Sequence, residues 1–257
     1  MCAAGWCDNP LMPEAHCRFY EELNDFLPVG RRGQEFRVSF QEAETVKHLI
    51  ESLGIPHTEV EIVVANDASV DFGYRVRDGD RIAVYPVFER LDVRSLVRIH
   101  DAPLRATRFI ADAHLGGLAR RLRMAGFDTV LAQREMDAEI VRRAEDEGRI
   151  VLTRDIELLK HRDLTHGLYV RALKPLEQFR EILLRLDLAP SMRPFTRCTV
   201  CNETVGEVEG ARVADRVPPA VRKRQSRFMA CTGCGRVYWE GSHWRRMREV
   251  LLRATSA

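Results

Sequence analysis

Long apolar runs are missing from these 257 residues. None approaches the roughly 18 consecutive residues that a membrane helix needs, so no membrane span is expected. The 16 glycines follow no period, which excludes a collagen-like chain. Aromatics are scarce at 7%, and the net charge is only +2. With 45% hydrophobic residues the chain nevertheless has the material for a sizeable core, and the combination of modest charge and ample apolar content excludes wholesale disorder. Met1 to Pro10 lacks a basic region followed by an apolar stretch, so no signal peptide is read there and a cytoplasmic protein is expected. The length fits one to three domains.

The small net charge hides an uneven distribution. From Arg216 to Ala257 there are ten Lys or Arg against two acids, Glu240 and Glu249, a local +8, so the remainder sums to −6. A basic tail on an acidic body fits an anionic partner such as nucleic acid, or a simply solvated surface. The cysteines are uneven too. Cys2, Cys7 and Cys17 sit near the start and are read as free thiols in an irregular tail. Cys198, Cys201, Cys231 and Cys234 form two CxxC pairs separated by a stretch long enough for a hairpin or loop. In a reducing compartment such pairs point to four thiolates around a structural Zn²⁺, with no open coordination position and hence no catalytic role. His243 is a spare ligand candidate.

Periodicity divides the chain further. Phe36, Val38 and Phe40 alternate with polar residues as in a half-buried strand. Val46, Leu49, Ile50 and Leu53 mark a helix ended by Gly54 and Pro56. Glu61 to Ala65 reads as a strand, and the Asp78-Gly79-Asp80 turn separates two further strands, Tyr74 to Val76 and Ile82 to Tyr85. From Arg108 the pattern becomes strand, helix, strand, helix, strand, with apolar helix positions at Leu115, Leu118, Ala119 and Leu122 and again at Ile140, Val141 and Ala144. Alternating strands and helices imply an α/β domain whose parallel sheet is covered on both faces.

Ligands bind open parallel sheets beyond the carboxyl ends of the strands. Asp112 and Asp155 follow the first and third of these strands, and Asp137 begins the second helix. Three carboxylates meeting there would need a cation, and oxygen ligands suit Mg²⁺ or Mn²⁺. Each aspartate also stands where a helix N-cap is expected, so capping explains any one of them singly. Arg120, Arg123 and Arg154 are candidates for phosphate, whereas Arg121 reads as solvated. His114 is an acid–base candidate without a visible partner. Arg222, Lys223 and Arg224 form a basic loop, and Tyr238, Trp239 and Trp244 interleave with arginines as single-stranded RNA binding requires; covering a small ribbon core explains Tyr238 and Trp239 equally well.

Two resemblances follow. The β-β-α-β-β order closing on VRDGDRIAVYPVFE resembles the ubiquitin-like β-grasp of sulfur-carrier proteins. Those act through a free terminal Gly-Gly, while here the last strand runs on through Pro86 and Phe88, so the domain is expected to dock a protein partner. RFIADAHLGGLARRLRMAGFDTV with GRIVLTRDIELL resembles the PIN-fold RNase domain named for the C-terminus of the Mut-seven exonuclease. The resemblance implies an α/β, PIN-like parallel-sheet nuclease between an N-terminal β-grasp domain and a C-terminal zinc ribbon. It further implies an RNA substrate, catalytic Mg²⁺ or Mn²⁺, and acids at Asp112, Asp137 and Asp155, with Glu157 and Asp163 as candidates for a fourth. The expected divisions are an irregular tail 1–17, β-grasp 18–90, linker 91–107, RNase domain 108–190, and ribbon with basic tail 191–257. The competing readings are a non-catalytic RNA-binding adaptor and a protein scaffold. A haloacid-type phosphotransferase is disfavoured because Asp112-Ala113-His114 lacks a second Asp two places on.

Overall fold

The computed structural model describes residues 12–86 and 107–255. They fall into two compact units, one before and one after residues 103–104. Among the described residues no helix is long and apolar enough to cross a membrane. Cys2, Cys7 and all but the last residue of the expected linker lie outside them.

The first unit is a mixed five-stranded sheet packed on one helix. Its elements are β1 (Glu14–Phe19), β2 (Phe36–Ser39), α1 (Val46–Ser52), β3 (Val60–Ala65), β4 (Ala68–Val70) and β5 (Arg81–Pro86), in the spatial order β2-β1-β5-β3-β4. β1 and β5 are parallel and the other pairs antiparallel. Thr45 caps α1 through its side chain, and Val46, Leu49 and Ile50 turn into the core beside Phe19, Val63 and Val84. Two expectations fail here. Cys17 is not in an irregular tail: it points into the core from β1, 1% exposed, and burial pushes its thiol up to about 12. Tyr74 to Val76 is not a strand and makes only an isolated bridge, Thr45 to Arg75, while β3 forms a hairpin with β4, a strand the sequence reading did not give. In the turn of that hairpin Asn66 and Asp67 both take positive φ, the conformation a tight hairpin demands.

The second unit holds β6 (Arg108–Asp112), α2 (Gly116–Met124), β7 (Asp128–Ala132), α3 (Asp137–Glu147), β8 (Ile150–Thr153), α4 (Ile156–Leu159), β9 (Gly167–Tyr169) and α5 (Pro175–Arg185). The strands form an all-parallel sheet in the order β7-β6-β8-β9. Both faces are covered, so alternate residues of one strand enter different cores. Phe109 and Ala111 pack with α2 and α5, while Ile110 between them packs with Ile140, Val141 and Leu158 of α3 and α4. Glu139 accepts from the Met136 N–H at 2.9 Å to fix the start of α3, and Gly148 at φ 60° ends it.

The chain continues through β10 (Val205–Val208), α6 (Pro219–Arg222), β11 (Phe228–Cys231) and β12 (Val237–Tyr238), a small antiparallel sheet in the order β10-β11-β12. Its own core is only Val213, Val217 and Phe228 with a few flanking side chains, too little to hold a fold unaided. The final helix, α7 (Ser242–Thr255), is not a free basic tail. Met247, Val250, Leu251 and Ala254, at helical spacing, return to the core of the parallel-sheet domain beside α5.

The cysteine-bearing segment docks where the parallel strands begin. Asp128, the first residue of β7, accepts from Asn202 Nδ2 at 2.7 Å and Arg149 Nη1 at 2.9 Å, and lies 3.4 Å from Arg197. Thr129 N–H donates to Asn202 Oδ1 at 2.9 Å. Arg123, only 7% exposed, donates to the carbonyls of Thr129 and Val200, both at 2.8 Å. Gly126 turns the chain at φ 100°, and a Cβ there would stand 2.1 Å from the Arg193 carbonyl oxygen. Burial opposes ionisation of Asp128, but hydrogen bonds from Arg149 and Asn202 and the charges of Arg149 and Arg197 outweigh it and hold its carboxyl below the usual range. A depressed folded pKa stabilises above the unfolded value and is lost on acidification. Asp128→Asn is therefore expected to cost ~1–3 kcal/mol at neutral pH, discounted for partial exposure. Its deficit should shrink below pH ~4 as the wild-type carboxyl takes up its proton, which denaturant unfolding across pH will check.

Candidate functional site

The carboxyl ends of β6 and β8 carry the acids. Asp112 ends β6, Asp155 follows β8, and Asp137 starts α3 from the same edge. All three line one open depression of ≈ 520 Å³ together with His114, Arg154 and Glu157. Thr153 ties two of them together. Fully buried at 0% exposure, its hydroxyl donates to Asp112 Oδ2 at 2.9 Å and accepts from the Asp155 N–H at 2.9 Å. Sequence reasoning passed over Thr153; a threonine two residues before a strand-end aspartate was the available signal.

Capping explains only one aspartate. Asp155 Oδ1 accepts from the N–H groups of Glu157 and Leu158, at 2.8 and 3.4 Å. Asp112 makes no side-chain cap bond, and Asp137 is already inside α3, exposed, its side chain without a hydrogen bond or ion pair among the described residues. The three acids do not crowd tightly. Among the described residues, the four cysteines are the one group of three or more ligand atoms within 4.8 Å of each other. Of the fourth-acid candidates, Glu157 lines the depression and pairs with Lys160 at 3.2 Å, whereas Asp163 pairs with Arg162 at 3.1 Å and is not among the lining residues.

The arginines sort differently from expectation. Arg120 is exposed on α2 without an ion pair among the described residues. Arg121 is not solvated: half-buried, it donates Nη1 to the Gly117 carbonyl at 2.9 Å, and burial lowers its pKa. Arg123 cannot meet a phosphate, because it is consumed in the bracket to Val200. Arg154 lines the depression, but its Nη1 is spent on the carbonyls of Val170, Arg171 and Ala172 at 2.8–3.0 Å, fixing the loop after β9. Arg222, Lys223 and Arg224 are exposed and free of acid partners among the described residues.

Cys198, Cys201, Cys231 and Cys234 bring their sulfurs within 4.8 Å of one another, with contacts of 3.7 Å (Cys198 to Cys234) and 3.3 Å (Cys201 to Cys231). Sulfurs on tetrahedral zinc lie roughly 3.8 Å apart, so the set is consistent with a structural Zn²⁺. Burial opposes ionisation of Cys198, yet hydrogen bonds from the Cys201 and Val200 N–H groups and the Tyr238 hydroxyl bring it down to about 6, while burial pushes Cys231 up to about 12. Thiols this close shed all their protons together only to a cation. His243 is exposed and stands outside the cluster. Tyr238 hydrogen-bonds Cys198 at 3.1 Å and Trp239 packs on the ribbon core, as the packing alternative holds. Trp244 is half-buried, its ring 5.1 Å from that of Phe195.

Because Val200 and Asn202 belong to the first cysteine knuckle, metal loss should release Arg123 and Asp128 as well. Purified protein is expected to carry a single zinc ion, and Cys198→Ser to lose it and lower Tm by ~5–10 °C, as elemental analysis and thermal unfolding will show.

Comparison with known families gives two matches. The Mut7-C RNAse domain model matches residues 107–251, and the Mut7-C ubiquitin model matches residues 12–92. No curated protein and no solved structure matches the chain. The first match takes in the parallel sheet, the cysteine ribbon and most of α7, and it spans more than half of the sequence. The chain belongs to the Mut7-C RNAse family, with a Mut7-C ubiquitin domain preceding the RNase domain.

Proposed function

We propose that the protein is a divalent-metal-dependent ribonuclease that hydrolyses RNA phosphodiester bonds at the strand-end depression. The observation that carries this reading is the gathering of Asp112, Asp137 and Asp155, distant in sequence, around one open depression in a chain of this family. The donor set fits Mg²⁺ or Mn²⁺, being hard carboxylate oxygen at every acid. Asp112 and Asp155 each keep one carboxylate oxygen without a partner among the described residues, and Asp137 keeps both. These three would hold the ion, directly or through water, with Glu157 at the rim. Bound there, it supplies an activated water and neutralises charge growing on the phosphate. Thr153 fixes the Asp112 carboxylate through its hydroxyl, and Arg154 holds the neighbouring loop. Arg120, Arg222, Lys223 and Arg224 are the exposed cations offered to RNA phosphates. The ubiquitin-like domain is assigned to a protein partner and the whole to the cytoplasm, where the cysteines stay reduced.

One observation favours the adaptor reading. Asp155 does cap α4, and the acids stand further apart than the thiolates. The two readings part in a cleavage assay on single-stranded RNA with Mg²⁺ or Mn²⁺. Asp112→Asn and Asp155→Asn are expected to slow cleavage at least ~100-fold, about 2.7 kcal/mol of barrier. Activity that survives both EDTA and Asp112→Asn would sink the mechanism. Salt-sensitive binding without cleavage, indifferent to Asp155→Asn, would establish the adaptor. Thr153→Val, which keeps the buried volume, should raise the Mn²⁺ concentration for half-maximal activity ~10-fold, the usual loss when a ligand's supporting hydrogen bond is removed.

A further inference from the structure

Away from the acids, the ribbon and the start of α7 enclose a second cleft, of ≈ 180 Å³. Phe195, Tyr238, Trp239 and Trp244 line it, with Arg197, Arg227 and one acid, Glu240, among its polar walls. Two of the three tryptophans in the sequence are thus spent on one small cavity. Well-packed interiors leave few voids larger than a water, so an aromatic-lined cleft of this size has room for a guest. The aromatic residues are half-exposed rather than sealed. The volume is below that of drug-sized sites and suits one flat ring.

We propose that this cleft binds an unpaired nucleobase of single-stranded RNA, stacked on the tryptophan faces, with the adjoining phosphates on Arg227 and on Arg222 to Arg224. Charge decides for RNA over an apolar protein segment. The last 42 residues, Arg216 to Ala257, carry ten cations against two acids, and Arg222, Lys223 and Arg224 have no acid partner among the described residues. Among the described residues Arg227 is held only by an exposed pair with Glu207 at 3.2 Å, which a phosphate can displace. Arg197 is different: it is fixed by Asp128 and by the Asn202 carbonyl at 2.9 Å, and serves as wall.

The position of the cleft sets its role. Arg197 and Thr199 belong to the knuckle docked where β7 begins, whereas the acids stand where β6 and β8 end. The strands are four or five residues long, so the two edges are roughly 13 Å apart. A base held in the cleft is therefore not the one beside the cleaved bond. It tethers the RNA a few nucleotides away and contributes to affinity, not to the chemical step. The proposal rests on the RNA substrate of the preceding section but not on its cleavage chemistry.

The test uses the full chain and its own tryptophan emission. Single-stranded RNA should quench the emission, while duplex RNA and an abasic oligomer with the same phosphates should not. Trp244→Leu should weaken single-strand affinity by ~5- to 100-fold, the range of one stacked base. It should leave the salt dependence and the single-turnover rate at saturating RNA unchanged. Zinc content and Tm identify a misfolded variant, and in that case Arg227→Gln, which leaves the aromatic walls in place, must lower affinity and flatten the salt dependence. Quenching by abasic and normal oligomers alike would overturn the proposal. So would wild-type affinity in both variants, or no quenching by any RNA, which gives the cleft to a protein side chain. Quenching without cleavage would instead remove the nuclease reading and keep the base site, and cleavage with no quenching would do the reverse.

Discussion

Because β6, β7, β8 and β9 run in one direction, they must all end at one edge of the sheet and all begin at the other. Everything else in the second unit follows from that polarity. The ends collect Asp112, Thr153 and Asp155, and the connection from β7 brings the start of α3, with Asp137, back to the same edge. The beginnings collect Phe109, Asp128 and Arg149, and onto them the cysteine knuckle is docked. The sheet holds the two apart because it is covered on both faces and closely packed, with Phe109, Ile110, Val151 and Leu152 fully buried.

The acidic edge is kept open by small polar devices, not by burial. Thr153 spends its hydroxyl proton on Asp112 and its lone pair on the Asp155 amide, which sets the spacing of two like charges without neutralising either. Arg154 and Glu181 hold the loop after β9 from opposite sides, the arginine through carbonyls and the glutamate by accepting from the Arg171 and Ala172 N–H groups at 2.9 Å each. The acids therefore face solvent on a stiff rim.

At the opposite edge the ribbon and the sheet complete each other. Three apolar side chains cannot stabilise the ribbon, and four thiols will not share so small a volume as anions without a cation. Asp128 and Arg123, in turn, would lose hydrogen-bond partners without the knuckle's backbone and Asn202. The Asn202 backbone is left-handed, at φ 72°, a conformation asparagine tolerates better than most residues and one that lets its amide face both Asp128 and Thr129. Metal binding and the stability of the neighbouring α/β core are in this way one property.

The sequence alone determined what depends on neighbours along the chain. Period-two and period-3.6 patterns gave the strand, helix, strand, helix, strand order from Arg108 and the buried faces of α2 and α3, CxxC spacing selected the four cysteines that cluster, and strand-end position picked out Asp112 and Asp155. It misjudged what depends on neighbours in space. Arg123 and Arg120 look alike on α2, and only the docked Val200 carbonyl buries one of them. Cys17 looked like part of a tail until β5 paired beside β1. The apolar stripe of α7 was present in the sequence, but its charges concealed that α5 would cover it. Which groups are covered is a property of the folded surface, and it decides whether a charge is a bracket, a ligand or a contact for RNA.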